Sequence, residues 1–142
     1  MADPKKPQPI PKDQAPGYVR KGREFAAAAK HQLDAEKFDA ALLCAVHAAI
    51  SACDSVCVAL GGVRSTDSEH NAAIHLLESM APNSAEFRHK AGQLRSLLAL
   101  KNRIAYESKA AKRKEAQDGV ARCERLVEWA VEVPIKAKFA VQ

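Results

Sequence analysis

Apolar residues recur along this chain at the spacing of helices. Phe25, Ala29 and Leu33 stand four apart and predict a first helix over residues 17–33. A second, residues 36–60, is apolar almost throughout and meets Gly61 and Gly62, a strong C-terminal stop. After a polar loop, a short third helix over residues 68–80 carries Ile74 and Leu77. Pro82 closes it, and Asn83 with Glu86 suits the N-terminal cap of a fourth helix, residues 84–107. Its apolar line is Phe87, Ala91, Leu94, Leu98 and Ala105. The fifth helix, residues 111–132, aligns Ala116, Val120, Cys123, Val127 and Val131 and is expected to end before Pro134. Such short connections make consecutive helices antiparallel neighbours. The expected fold is therefore all-α: an antiparallel up-and-down bundle of four to five helices, residues 17–133.

The flanks read differently. Residues 1–16 hold Pro4, Pro7, Pro9, Pro11 and Pro16 with almost nothing to bury, so a disordered, extended Pro/Lys-rich tail is expected. Residues 134–142 are expected to form a flexible C-terminal tail. Composition agrees with helices: 47% of residues are hydrophobic but only 5% aromatic, and Ala dominates, which suits close helix contacts rather than a sandwich or barrel. No run approaches the roughly 18 consecutive apolar residues of a membrane span, and no apolar signal segment opens the chain. A cytoplasmic protein with no membrane partner is expected. Cys44, Cys53, Cys57 and Cys123 all fall in helical patterns, where a reducing compartment makes them buried thiols. Helical phase puts Cys44 and His47 far from Cys53 and Cys57, and separates His70 from His75, so no metal and no cofactor is expected.

Charge sharpens the picture. The net charge is +5. Between positions 101 and 114, Lys101, Arg103, Lys109, Lys112, Arg113 and Lys114 stand against Glu107 alone, so this window carries as much net positive charge as the whole chain. Such concentration points to an anionic partner, RNA first, or else to a solvated helix end. On the fourth helix Lys101 and Asn102 flank the apolar stripe, while Arg88, Arg95 and Tyr106 share one edge. Arg95, Asn102 and Tyr106 then form a basic, polar and aromatic ridge suited to phosphate contact and base stacking. The alternative is a tyrosine half-buried against the fifth helix. On the second helix His47, Ser51 and Asp54 make one narrow polar stripe, either a supporting part of a site or a seam facing solvent or a second copy.

The helix order, the Ala-rich second helix ending in Leu60-Gly61-Gly62, and the segment Leu100-Lys-Asn-Arg-Ile-Ala-Tyr-Glu-Ser108 resemble the HEPN domain (higher eukaryotes and prokaryotes nucleotide-binding) over about residues 20–132. The resemblance implies a helical bundle that dimerises, with a nucleotide- or RNA-facing cleft shared by two copies. Many members are metal-independent ribonucleases, frequently toxins or defence proteins with an antitoxin-like partner. Their signature is an arginine, a polar residue, and a histidine four to six residues after the arginine. Lys101 stands at the arginine position, Asn102 at the polar position and Tyr106 at the histidine position. Tyrosine, ordinarily titrating near pH 10, is a poor proton shuttle at neutral pH. Lysine keeps the charge but lacks the planar guanidinium fork. The expectation is a catalytically degenerate protein that binds RNA or a nucleotide through Arg88, Arg95, Lys101, Asn102, Arg103 and Tyr106. Two alternatives stand beside it: a metal-independent ribonuclease toxin in which Lys101, Asn102 and Tyr106 carry the catalysis, and a non-catalytic dimeric interaction scaffold.

Overall fold

The computed structural model describes residues 6–66 and 70–141, apart from the side chains of His70 and residues 136–141. Five helices dominate: α1 Ala15–Asp34, α2 Phe38–Gly61, α3 His70–Ser79, α4 Ala85–Tyr106 and α5 Arg113–Val141. Two short strands, β1 Gln8–Pro9 and β2 Val63–Arg64, pair antiparallel, Gln8 opposite Arg64 and Pro9 opposite Val63. The architecture is the all-α bundle expected.

α2 is its axis. α1, α4 and α5 all pack on it, and α3 lies mainly against α4. Every residue from Ser51 to Val58 is buried, so this stretch has no outward face. Small side chains make that possible. Ala41, Ala45, Ala48 and Ala49 are fully covered, and neighbouring backbones approach closely over them. At Gly22 of α1 a Cβ would lie 3.5 Å from both the Ala48 carbonyl oxygen and the Ala52 nitrogen. Gly119 of α5 faces Leu42 so tightly that a Cβ there would collide with Leu42 Cδ2. α2 reaches a mean hydropathy of 1.8 over an 18-residue window, long and apolar enough by composition to cross a membrane, yet 72% of that window is buried inside the bundle. It is a core helix.

Helix ends follow local chemistry. α2 stops where Gly62 takes the left-handed conformation (φ 64°) and its N–H donates to the Val58 carbonyl. α4 starts one residue after the expected cap: the Ser84 hydroxyl, not Asn83, accepts from the Phe87 N–H at 3.2 Å. Glu86 instead accepts from the Trp129 indole Nε1 at 3.2 Å, tying α4 to α5.

Four expectations need correction. Residues 6–14 are not a free tail: β1 pairs with β2, the Ile10 N–H donates to the Gly62 carbonyl at 2.8 Å, and a 3-10 turn at Lys12–Gln14 leads directly into α1. Pro9 and Pro11 tolerate this because a two-residue ladder and a turn need few N–H donors. Residues 1–5 lie outside the described chain. Residues 134–141 are not a flexible tail either, since α5 continues through Pro134, which removes one hydrogen bond without ending the helix. On α4 the core position is Ile104, while Ala105 is exposed, because the buried stripe runs on from Leu97 to Ile104 rather than from Leu98 to Ala105. On α1 the buried line is Gly22, Ala26 and Ala29, leaving Phe25 37% exposed.

The Gly119–Leu42 packing makes a direct forecast. Gly119→Ala should destabilise the chain by about 1–3 kcal/mol through overpacking, despite the better helix propensity of alanine. In a Leu42→Ala background the same change should be neutral or stabilising. Urea midpoints of the four chains in that cycle measure it, and a stabilising Gly119→Ala in the parent would contradict the packing described.

Candidate nucleic-acid interface

The last turn of α4 presents one face to solvent. Asn102, Ala105 and Tyr106 are exposed there while Ile104 is held beneath them. Tyr106 is 84% exposed, so the half-buried alternative for this ring does not hold. Because Ala105 is in solvent, it bridges the two edges of the helix: Lys101 lies four residues before it, and Asn102 four before Tyr106. Lys101, Asn102 and Tyr106 thus share one platform. The loop that follows is fixed from both sides. The Ala111 N–H donates to Asp39 Oδ1 at 2.8 Å, and the Lys112 N–H donates to Glu115 Oε1 at 3.0 Å.

Lys101 is half-buried at the inner edge of this platform, within electrostatic reach of His47 on α2. The His47 ring lies against Phe25 of α1, centroids 5.4 Å apart and planes tilted by 33°. Burial, and then the Lys101 ammonium, hold His47 below its ordinary pKa. Both effects disfavour the protonated ring, so the imidazole is neutral near pH 7 and a weaker base than a free histidine. No local spacing signals this pairing, which joins two helices far apart along the chain.

The rest of the basic window divides. Arg103 is half-buried and its Nη2 sits 2.6 Å from Glu115 Oε2, so it braces α4 on α5 rather than joining the ridge. Arg113 pairs with Glu36, and Lys114 with Asp118 at 2.9 Å. Lys109 and Lys112 are exposed and have no ion pair among the described residues. Arg88 and Arg95 are exposed on the outer edge of α4, Arg95 at 3.7 Å from Glu78 of α3. A separate groove of about 390 Å³ between α4 and α5 gathers His89, Gln93, Arg122 and Arg125. Helical periodicity alone does not single out these α5 arginines.

The expected polar stripe of α2 breaks in two. His47 is exposed, but Ser51 and Asp54 are buried and form no surface seam. The N-terminal segment and β2 cover that end of the helix. Arg64 Nε donates to Asp54 Oδ2 at 3.1 Å, and the Arg64 guanidinium lies 5.9 Å from the centroid of the Tyr18 ring. Burial pushes the Asp54 carboxyl up to about 6, against the pull of Arg64. Burial likewise pushes the Cys57 and Cys123 thiols up to about 12, which disfavours a nucleophilic thiolate. Among the described residues no three His, Cys, Asp or Glu side chains gather to hold a metal ion.

The family model of the HEPN domain matches residues 15–133. The chain belongs to the HEPN family. No curated protein matches it in sequence. Membership points to a nucleotide- or RNA-related function. Within the matched region Tyr106 is exposed, and the imidazole that feels the charge of Lys101 comes from α2.

Asp54 gives a pH test. Its folded-state pKa of about 6 lies above the ordinary carboxylate value, so the folded chain holds this proton more tightly than the unfolded one. Its contribution to stability is therefore full below about pH 4, falls as pH rises toward 6, and stays lost above. The difference is on the order of 2–3 kcal/mol. Asp54→Asn should flatten this decline, seen as the pH dependence of the urea midpoint relative to the parent. An identical pH profile in both chains would contradict the burial of this carboxylate.

Proposed function

We propose that this HEPN domain binds RNA, using the exposed last turn of α4 as its contact surface. The carrying observation is Tyr106: a ring 84% exposed at a helix end, beside Asn102 and on one platform with Lys101. An aromatic ring left in water beside cations suits stacking of an unpaired base, with the amide and the ammonium reaching the adjoining phosphate and base edge. Arg88 and Arg95 extend the same edge, and Lys109 and Lys112 continue the positive charge beyond it. Arg103 drops out of the set because Glu115 engages it. A homodimer bringing two such platforms to one cleft, and a role in a toxin–antitoxin or defence system, extend this reading.

One observation favours a catalytic version. His47, kept neutral beside Lys101, supplies the proton acceptor that Tyr106 does not. In that reading His47 takes the proton of the attacking 2′-hydroxyl, Lys101 stabilises the developing phosphate charge, and the P–O5′ bond breaks to leave a 2′,3′-cyclic phosphate and a 5′-hydroxyl protonated from water, without a metal.

Fluorescence anisotropy with labelled single-stranded RNA in EDTA tests binding. Affinity should fall steeply with salt, Tyr106→Ala should weaken it by about 5- to 100-fold, and Lys101→Ala should lower the salt slope by about one. No binding at low salt would sink the proposal. The same mixtures run on a gel test catalysis: cleavage abolished by His47→Ala supports it, and intact RNA with the parent chain excludes it. Lys101→Ala should also raise the His47 pKa, read by imidazole proton shifts against pH.

A further inference from the structure

A larger cavity lies away from α4. It is an open groove of about 530 Å³ where the 3-10 turn, α1, α2 and α5 meet. Its floor is aliphatic: Val19 of α1, Ala59 of α2, and Ala130, Val131 and Pro134 of α5. Small residues create the space, since Ala59 and Ala130 stand where leucine-sized side chains would fill it. The volume lies within the range of small-molecule sites. No side chain on the floor offers a free donor: the hydroxyl of Ser55 there is committed to its own helix, donating to the Ala52 carbonyl at 2.6 Å. There is no aromatic ring among the lining residues either. Such a floor has nothing with which to read a base or a sugar. It suits featureless hydrocarbon.

The rim has the opposite character. Lys12, Arg20 and Arg23 border the groove against one carboxylate, Asp13. Arg20 is engaged only loosely, 3.4 Å from Glu24 in an exposed pair of the kind worth little in water. Arg23 has no ion pair among the described residues. Apolar surface thus runs into a cationic edge with charge to spare.

We infer that this groove binds an aliphatic carboxylate: an acyl chain lying along Val19, Ala59 and Val131, its single anionic head held at Arg23 and Arg20. Neither half of the site suffices alone. The hydrocarbon supplies affinity by leaving water, and the charge-assisted contact at the rim selects the anion over a neutral chain of equal length. The site is independent of the RNA platform and stands or falls without it.

Titration of the full-length, ¹⁵N-labelled chain with decanoate below its micelle concentration tests this, with 1-decanol as the neutral control. Saturable amide shifts should map to α1, α2 and α5 around Val19, Ala59 and Val131. Arg23→Glu, a change at an exposed position that leaves the core intact, should weaken decanoate by about tenfold and leave decanol unchanged. Val19→Phe, which fills the groove, should abolish both while RNA binding persists. Equal affinity for acid and alcohol, unaltered by Arg23→Glu, would overturn the anionic specificity. Absence of saturable shifts would overturn the site altogether. So would a Val19→Phe chain that changes oligomeric mass without any decanoate binding in the parent, since the groove would then be a seat for a second copy.

Discussion

Everything in this bundle depends on how closely neighbours can approach α2. A helix buried around its whole circumference over Ser51–Val58 requires partners on all sides within a few ångströms. Alanine and glycine grant that approach, at Ala48 and Ala52 facing Gly22 and at Leu42 facing Gly119. The dispersion attractions that result are individually slight and collectively large, and they weaken sharply when backbones are held further apart. The same closeness explains why Asp54 sits in surroundings hostile to its charge. Once Ser51 to Val58 are enclosed, the carboxylate has Arg64 and little else.

That enclosure is completed by the segment before α1. β1 lies along β2, and the 3-10 turn caps the C-terminal end of α2, so a proline-rich stretch becomes part of the fold. At the opposite end the α4–α5 loop is pinned by Asp39 and Glu115. With the loop fixed and Ile104 buried, the final turn of α4 is held in an orientation that leaves Asn102, Ala105 and Tyr106 in solvent. Fold and candidate site are thus two outcomes of one packing arrangement.

Much of this was legible in the residues. Helical periodicity located all five helices, and Gly62 ended α2 as its conformational freedom predicts. The segment around Lys101 and Tyr106 carried the family resemblance and is exposed at Asn102, Ala105 and Tyr106, with Lys101 half-buried. What escaped were relationships between elements. Pairing of Lys101 with His47 and of Arg64 with Asp54 depends on how helices sit side by side, which no local spacing encodes. Ile104 takes the core position that the apolar line through Leu98 gives to Ala105, because the buried stripe follows Leu97 at the end of α4. Residues 6–14 read as a tail because proline content says nothing about a strand available elsewhere. The aliphatic groove left no mark at all, since it is made of small residues on separate helices whose significance is the volume they leave empty.

The hydropathy of α2 also has a consequence for synthesis. A segment apolar enough to match a bilayer span leaves the ribosome when, among the helices described, α1 has already been made. The remaining cover belongs to α4 and α5, and α5 follows every other helix described here in the chain. Until α4 and α5 have emerged, the faces of α2 that they cover lack their partners. The physical consequence is an interval during synthesis in which apolar surface that ends up buried is open to water and to other apolar surfaces.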